Sequence, residues 1–187
     1  MKSIPILGLA LAVLLALAAC KREAPATADA TPAPAKPATT APAPGPKAVD
    51  HPALKVATLD GATFDLAEQR GKWVIVNYWA TWCSPCLKEM PELSALDAMR
   101  EHIVVIGLAY EDTTPEAMRA FLQEHPVVYP VALLDVYNPP ADFDTPRGLP
   151  LTYLIDPEGK VARKYTGPVT ARMLEEGIAE AGGPKQG

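Results

Sequence analysis

The sequence predicts an α/β sandwich built around a central mixed sheet, with a β-hairpin at its N-terminal side. Three observations carry this reading. Two seven-residue runs, Trp73–Trp79 (WVIVNYW) and Ile103–Ala109 (IVVIGLA), are almost wholly apolar, as strands covered on both faces are. Segments with helical spacing follow each of them, which gives strand–helix alternation. Near the C-terminus, residues 151–156 and 160–166 flank Pro157-Glu158-Gly159 and read as an antiparallel pair, so the sheet is mixed.

Taken in order, residues 54–58 and 62–66 alternate around Asp60-Gly61, a hairpin signal. After the strand Trp73–Trp79, residues 85–100 carry Leu87, Met90, Leu93, Leu96 and Met99 at steps of three, read as the inner face of a helix. Ile103–Ala109 is the second buried strand. Thr114-Pro115-Glu116 opens a helix: Thr caps, Pro suits the first helical position, and acids favour the first turn. That helix runs to about residue 124, with Met118, Phe121 and Leu122 inward. Residues 131–134 make a short strand. Residues 137–147 contain Asn138-Pro139-Pro140 and Thr145-Pro146 and are expected to form a loop with one helical turn. The hairpin follows, and residues 170–181 form a last helix.

The chain has 187 residues and 21 prolines, about twice the average usage of about 5%. Eight of the prolines fall in residues 21–52, among Ala and Thr with almost no large apolar side chain. Such a segment cannot bury enough surface to offset its ordering entropy. It reads as an extended linker, and about 30 residues at about 3.1 Å each reach roughly 100 Å. Ahead of it, Met1-Lys2-Ser3 precedes an apolar run over residues 4–19, shorter than the 20 or so residues a spanning helix needs. The run closes on Leu17-Ala18-Ala19-Cys20, which resembles a bacterial lipoprotein signal in which the cysteine is acylated. The expected organisation is a signal peptide at 1–19, lipidated Cys20 with a linker over 20–51, one domain at 52–182 and a flexible tail at 183–187. Several acyl chains on Cys20 would anchor the chain to a membrane, since each buried CH₂ contributes about 0.8 kcal/mol. Lys21 resembles the outer-membrane sorting signal of bacteria that use Asp there for inner-membrane retention.

Overall the formal charge is −5, and residues 48–182 alone hold 11 basic against 20 acidic side chains. That balance argues against nucleic-acid binding, which calls for a basic patch. It also argues for a domain held away from anionic phospholipid rather than lying on it.

Cys83-Ser84-Pro85-Cys86 stands between a predicted strand and a predicted helix, where redox chemistry requires such a pair. A two-residue spacer lets the sulfurs meet. A cysteine at a helix N-terminus faces unpaired N–H groups and the positive dipole end, which stabilise a thiolate. This makes Cys83 the nucleophile and Cys86, one turn further in, the resolving thiol. A static disulfide and half of a zinc site are the bland readings. Zinc needs about four ligands, and only Cys20 and the scattered His51, His102 and His125 remain, so no metal is expected.

The segment Asn77-Tyr78-Trp79-Ala80-Thr81-Trp82-Cys83-Ser84-Pro85-Cys86 resembles the active-site segment of thioredoxin-like proteins, most closely the TlpA/ResA class of membrane-tethered thiol-disulfide oxidoreductases. Pro91 matches that class's proline inside the helix, Gly148-Leu149-Pro150-Leu151-Thr152 its cis-proline loop, and residues 154–160 its hairpin. The resemblance covers most of residues 52–181. It implies a thioredoxin-like three-layer sandwich, with Leu149-Pro150 cis, facing the Cys pair and offering free backbone groups to an extended substrate strand. It also implies protein disulfides as substrates, no cofactor, an inner-membrane thiol transporter of the DsbD/CcdA type as electron donor, and a place in the periplasm or cell envelope. Apocytochrome c, during cytochrome c biogenesis, is among the substrates it suggests. A monomer is expected.

Asn77 stands where thioredoxins carry a buried, titratable Asp. Glu89, three residues past Cys86, matches the Cys-x-x-Cys-x-x-Glu pattern of the ResA group and is expected to exchange a proton with Cys86; its bland reading is a solvated charge. Trp82 is expected to cover the sulfurs and, with Ser84, Pro85, Leu149 and Pro150, to bind substrate. Trp79 reads equally as core. The Ser-Pro spacer lacks the His that would favour the thiolate, which leans the pair toward a reductant. An oxidase or isomerase is the alternative within the same chemistry. A copper-binding thioredoxin-like chaperone is the alternative outside it, disfavoured because no His or Met stands by the cis-proline loop. A peroxidase is weaker still, since its resolving cysteine lies farther away. The 137–147 loop reads either as a border of the site that carries specificity or as a surface insertion.

Overall fold

The computed structural model describes residues 49–185. The expected signal peptide at 1–19, acylated Cys20 and the linker through residue 48 lie outside the described residues, as do the last two residues. Seven strands and three α-helices form among those described. Strands β1 (Lys55–Ala57) and β2 (Thr63–Asp65) make a separate antiparallel hairpin. Its turn uses Gly61 at φ +90°, a conformation that an L side chain resists. A 3₁₀ turn, Leu66–Gln69, is capped by Asp65, whose carboxylate accepts from the Ala67 N–H at 2.9 Å.

The main sheet has the order β5-β4-β3-β6-β7, formed by β3 (Trp73–Trp79), β4 (Ile103–Ala109), β5 (Val131–Leu133), β6 (Leu151–Ile155) and β7 (Val161–Thr166). Strands β3, β4 and β5 run parallel, and β6 and β7 add antiparallel, so the sheet is mixed as the sequence predicts. The two parallel crossovers pass through α1 (Ser84–Met99) and α2 (Pro115–Glu124), and both step in the same direction across the sheet. Right-handed crossovers that step the same way put their helices on the same face. Helix α3 (Ala171–Glu180) joins them there: Met90 and Leu93 of α1, Met118 of α2 and Leu174 and Ile178 of α3 share one core with Trp73, Ile75 and Trp79. The third layer of the sandwich is therefore not helical. Phe64 of the hairpin, Leu66 of the 3₁₀ turn and Phe143 of the 134–149 loop cover Val74, Val76, Tyr78, Tyr153 and Ile155 on the other face.

The caps follow the sequence signals. Thr114 Oγ1 accepts from the Ala117 N–H at 3.2 Å, with Pro115 opening α2, and Thr170 Oγ1 accepts from the Met173 N–H at 3.2 Å at the start of α3. Two expectations are corrected. Met99 is 69% exposed rather than inward, because a step of three falls short of the 3.6-residue turn, and nine residues past Met90 the side chain has rotated to the opposite face. The 137–147 loop holds turns and no helical one; Pro139, Pro140 and Pro146 remove the N–H groups a helix would use. That loop is nonetheless anchored. Phe143 is 1% exposed, its ring packs edge-on to Tyr153 at 5.1 Å, and Asp142 accepts from the Ala53 N–H at 2.8 Å. A Phe143→Ala variant is expected to lose about 3–5 kcal/mol of stability, read as a lower urea midpoint.

Candidate redox site

The site forms where β3 ends. Its register pairs Tyr78 with Leu151, so Pro150 lies beside the last residue of β3, and the chain then turns away from the sheet at Ala80. The Cys83 N–H donates to the Ala80 carbonyl at 3.1 Å, closing that turn, and Cys83 becomes the N-cap residue of α1. Its carbonyl takes the N–H of Leu87 at 3.1 Å, while its own side chain caps nothing and is left for the sulfur chemistry. Pro85 sits in the first turn, where a missing N–H costs nothing, and Pro91 lies inside the helix. Cys83 and Cys86 are joined in a disulfide with Cα atoms 5.3 Å apart. Both are buried, but Cys83 is flanked by exposed Trp82, Ser84 and Pro85, whereas Cys86 faces the core.

The structure brings most of the sequence-predicted residues to this one end of the sheet. Leu149-Pro150 is cis, as the resemblance implies, with Leu149 half-buried and Pro150 buried. Trp82 is 69% exposed, so its ring stands out from the surface rather than being packed down as a lid. Trp79 is core, with its ring 6.0 Å from that of Phe121.

Glu89 is not a solvated charge. It is 3% exposed, one turn beyond Cys86 on the inner face of α1. The Asn77 Nδ2 group donates to its Oε1 at 2.8 Å, and the Val169 backbone N–H donates to its Oε2 at 2.9 Å. Asn77 Nδ2 also reaches Thr152 Oγ1 at 3.0 Å. Burial pushes the Glu89 carboxyl up to about 7, with a smaller upward push from Glu92, against the pull of the Val169 and Asn77 donors. A carboxyl with that affinity can take or give a proton near neutral pH, as general acid–base work requires.

Sequence reasoning treated Asn77 only as a residue that cannot titrate. In the structure it ties β3, β6 and α1 together at Glu89, a role that no local signal reveals because Thr152 is 75 positions away. A second arrangement was also missed. Glu111, just past β4, accepts from the Thr81 backbone N–H through Oε1 and from the Thr81 hydroxyl through Oε2, both at 2.8 Å. Among the described residues no group of three or more His, Cys, Asp or Glu side chains is assembled that could hold a metal. The one ring contact of a histidine there is His125 stacked on Phe121 at 4.2 Å.

The model of the AhpC/TSA family matches residues 47–180. The thiol-disulfide oxidoreductase ResA of Bacillus cereus is 35% identical over 125 residues, covering 66% of this chain and 72% of that protein. The thiol:disulfide interchange protein DsbE of Allochromatium vinosum is 39% identical over 109 residues, 58% of this chain and 59% of that one. Among solved structures, a Chlorobium tepidum protein described as a thiol:disulfide interchange protein DsbE superposes with a TM-score of 0.60 at 28% identity, covering 74% of this chain and 97% of that chain. The family match spans the whole sheet and the Cys-x-x-Cys turn together, and with these likenesses the chain belongs to the AhpC/TSA family, as a thioredoxin-like thiol-disulfide oxidoreductase of the ResA and DsbE type.

Proposed function

We propose that this oxidoreductase works as a reductant of disulfides in cell-envelope proteins, held at a membrane by acyl chains on Cys20. The observation that carries the reading is the Cys83–Cys86 pair at the start of α1, with the buried Glu89 carboxyl one turn behind it. In the reduced enzyme the Cys83 thiolate attacks one sulfur of a partner disulfide. A mixed disulfide forms, and the partner's other sulfur leaves as a thiolate that takes up a proton. Cys86 then gives its proton to Glu89 and attacks the Cys83 sulfur. The partner's second sulfur leaves as a thiolate and takes up a proton, and two electrons have passed to the partner.

Trp82, Ser84, Pro85, Leu149 and Pro150 surround the pair and are the residues proposed to receive the partner strand; the exposure of the first three supports this. An inner-membrane thiol transporter of the DsbD/CcdA type would return the two electrons. Cytochrome c maturation, with the haem-binding cysteines of the apoprotein as substrate, is the proposed context, and the outer membrane the proposed site of anchoring. Support for an envelope setting comes from the Leu17-Ala18-Ala19-Cys20 sequence and the Ala/Pro/Thr-rich linker.

Redox titration against glutathione tests the direction. A reductant is expected near the thioredoxin value of about −270 mV; a value near the roughly −120 mV of DsbA would make the protein an oxidant and overturn the proposal.

A further inference from the structure

We propose that Glu111 is a positioning residue that holds the active-site turn from strand β4 and biases the Cys83–Cys86 pair toward its disulfide form, so that it tunes the enzyme to be a better reductant. The inference deepens the proposed reductant function and rests on it for its biological sense.

The geometry is a two-pronged clamp. Thr81 lies two residues before Cys83, inside the turn that the Cys83 N–H closes on the Ala80 carbonyl. Both donors of Thr81, the backbone N–H and the hydroxyl, are taken by the two oxygens of one carboxylate at 2.8 Å each. One residue earlier, the Tyr110 N–H donates to the Trp79 carbonyl at 2.8 Å. The pairing of β3 with β4 is thus continued past the sheet by a side chain, up to the edge of the reactive cysteine.

Two consequences follow for the sulfur. A thiolate on Cys83 needs donors and positive potential. Glu111 engages the Thr81 N–H and hydroxyl, so that neither is free to serve that thiolate, and places a negative charge against the turn that carries Cys83. Both disfavour the thiolate and so the reduced state. A pair whose reduced form is stabilised is an oxidant; Glu111 works in the opposite sense. Other charged groups on the neighbouring elements include Lys88 on α1, Asp112 beside Glu111, Glu116 at the start of α2, and Asp135 and Arg147 in the 134–149 loop, all exposed, Asp142 and Asp144 of that loop, half-buried, and Glu89 buried on the inner face of α1. Asp112 and Asp135 are engaged with Tyr137, Asp112 through the ring hydroxyl at 3.5 Å and Asp135 through the backbone N–H at 2.8 Å. Of these groups, Glu111 is the one hydrogen-bonded to the turn that carries Cys83.

The test compares variants with the parent full chain in the equilibrium with glutathione, in which two glutathione thiols supply two electrons and two protons to the protein disulfide. Glu111→Gln can keep both contacts, its oxygen accepting from the Thr81 N–H and its amide donating to the hydroxyl, while removing the charge. At about pH 8, near the free-thiol pKa, the equilibrium is expected to move about tenfold toward the dithiol, ~30 mV more positive. The Cys83 thiol should become more acidic, and the unfolding midpoint of the oxidised protein should hold. Thr81→Val leaves the carboxylate with one donor fewer and is expected to move the Cys83 thiol the other way. Asp112→Asn is the control for general surface charge.

Unchanged equilibria in both Glu111→Gln and Thr81→Val, or an Asp112→Asn shift equal to that of Glu111→Gln, would overturn the assignment. The reading is a difference between variant and parent. An oxidant-like potential in the parent would therefore remove the reductant proposal and leave the role of Glu111 decided separately.

Discussion

A Cys86→Ala variant is expected to stop after half a reaction and to accumulate a stoichiometric mixed disulfide, one partner per enzyme, through Cys83. The asymmetry of the pair is the reason. Cys83 is the N-cap of α1 among exposed neighbours, while Cys86 has no exposure and faces the core. An incoming disulfide meets Cys83 first, and without Cys86 nothing in the described structure lies within a helical turn to release it. Incubation with envelope extract, quenching by acid alkylation and non-reducing electrophoresis would display the adduct, and mass spectrometry of the excised band would identify the partner. Cys83→Ala should give no adduct. Adducts formed through Cys86 in that variant would reverse the assignment of the two sulfurs.

The second large effect belongs to Glu89. Its carboxyl is held near 7 in the folded protein, against an ordinary glutamate value of 4.5. A carboxyl raised by folding binds its proton more tightly in the native state. Its contribution is fully present below about pH 4.5 and is lost as pH rises through about 7, an order-of-magnitude swing of about 3 kcal/mol. Glu89→Gln should remove that part of the slope, so that urea midpoints measured from pH 4 to pH 8 decline less than in the parent, the remainder coming from groups such as Asp97, whose carboxyl is also raised by burial. The amide cannot match two donors, however, and one of Asn77 Nδ2 and Val169 N–H loses its acceptor, at a cost of about 1–3 kcal/mol independent of pH. In catalysis the parent's resolution step should slow as pH falls through about 7, because Glu89 is then already protonated. The variant should be slower by about 10²-fold, with that inflection absent. An unaltered pH profile would remove Glu89 from the mechanism.

How much of this could be read beforehand depends on where each signal resides. Strands β3 and β4 are legible to the residue because a strand covered on both faces must be largely apolar, and the runs at 73–79 and 103–109 are, Asn77 being the polar exception. Thr114-Pro115 marks its helix because the cap is local chemistry. Met99 misleads because a spacing of three imitates a helical face over two turns and then drifts off it. The side of α1 on which Glu89 lies follows from the register of its buried residues, but its partners are supplied by β3 and by the chain entering α3, 12 and 80 positions from it. Asn77 looked inert for the same reason. The Thr81–Glu111 contact joins residues 30 apart that each read locally as ordinary loop polar groups. Cysteines and the cis-proline are recognisable as letters in a row; the acids that govern them are recognisable only once the sheet has brought strands together.

The way the chain enters the domain has its own consequence. The Asp50 carbonyl accepts from the Val161 N–H at 2.8 Å, at the start of β7, whereas Thr166 at the other end of that strand pairs with Leu151 next to Pro150. Five strand residues at about 3.3 Å each separate those two levels by about 17 Å. A pull on the N-terminus is thus taken up at the floor of the sheet, and the sulfurs ride on its roof. The end at which the described chain enters the domain is thus the one opposite the reactive turn.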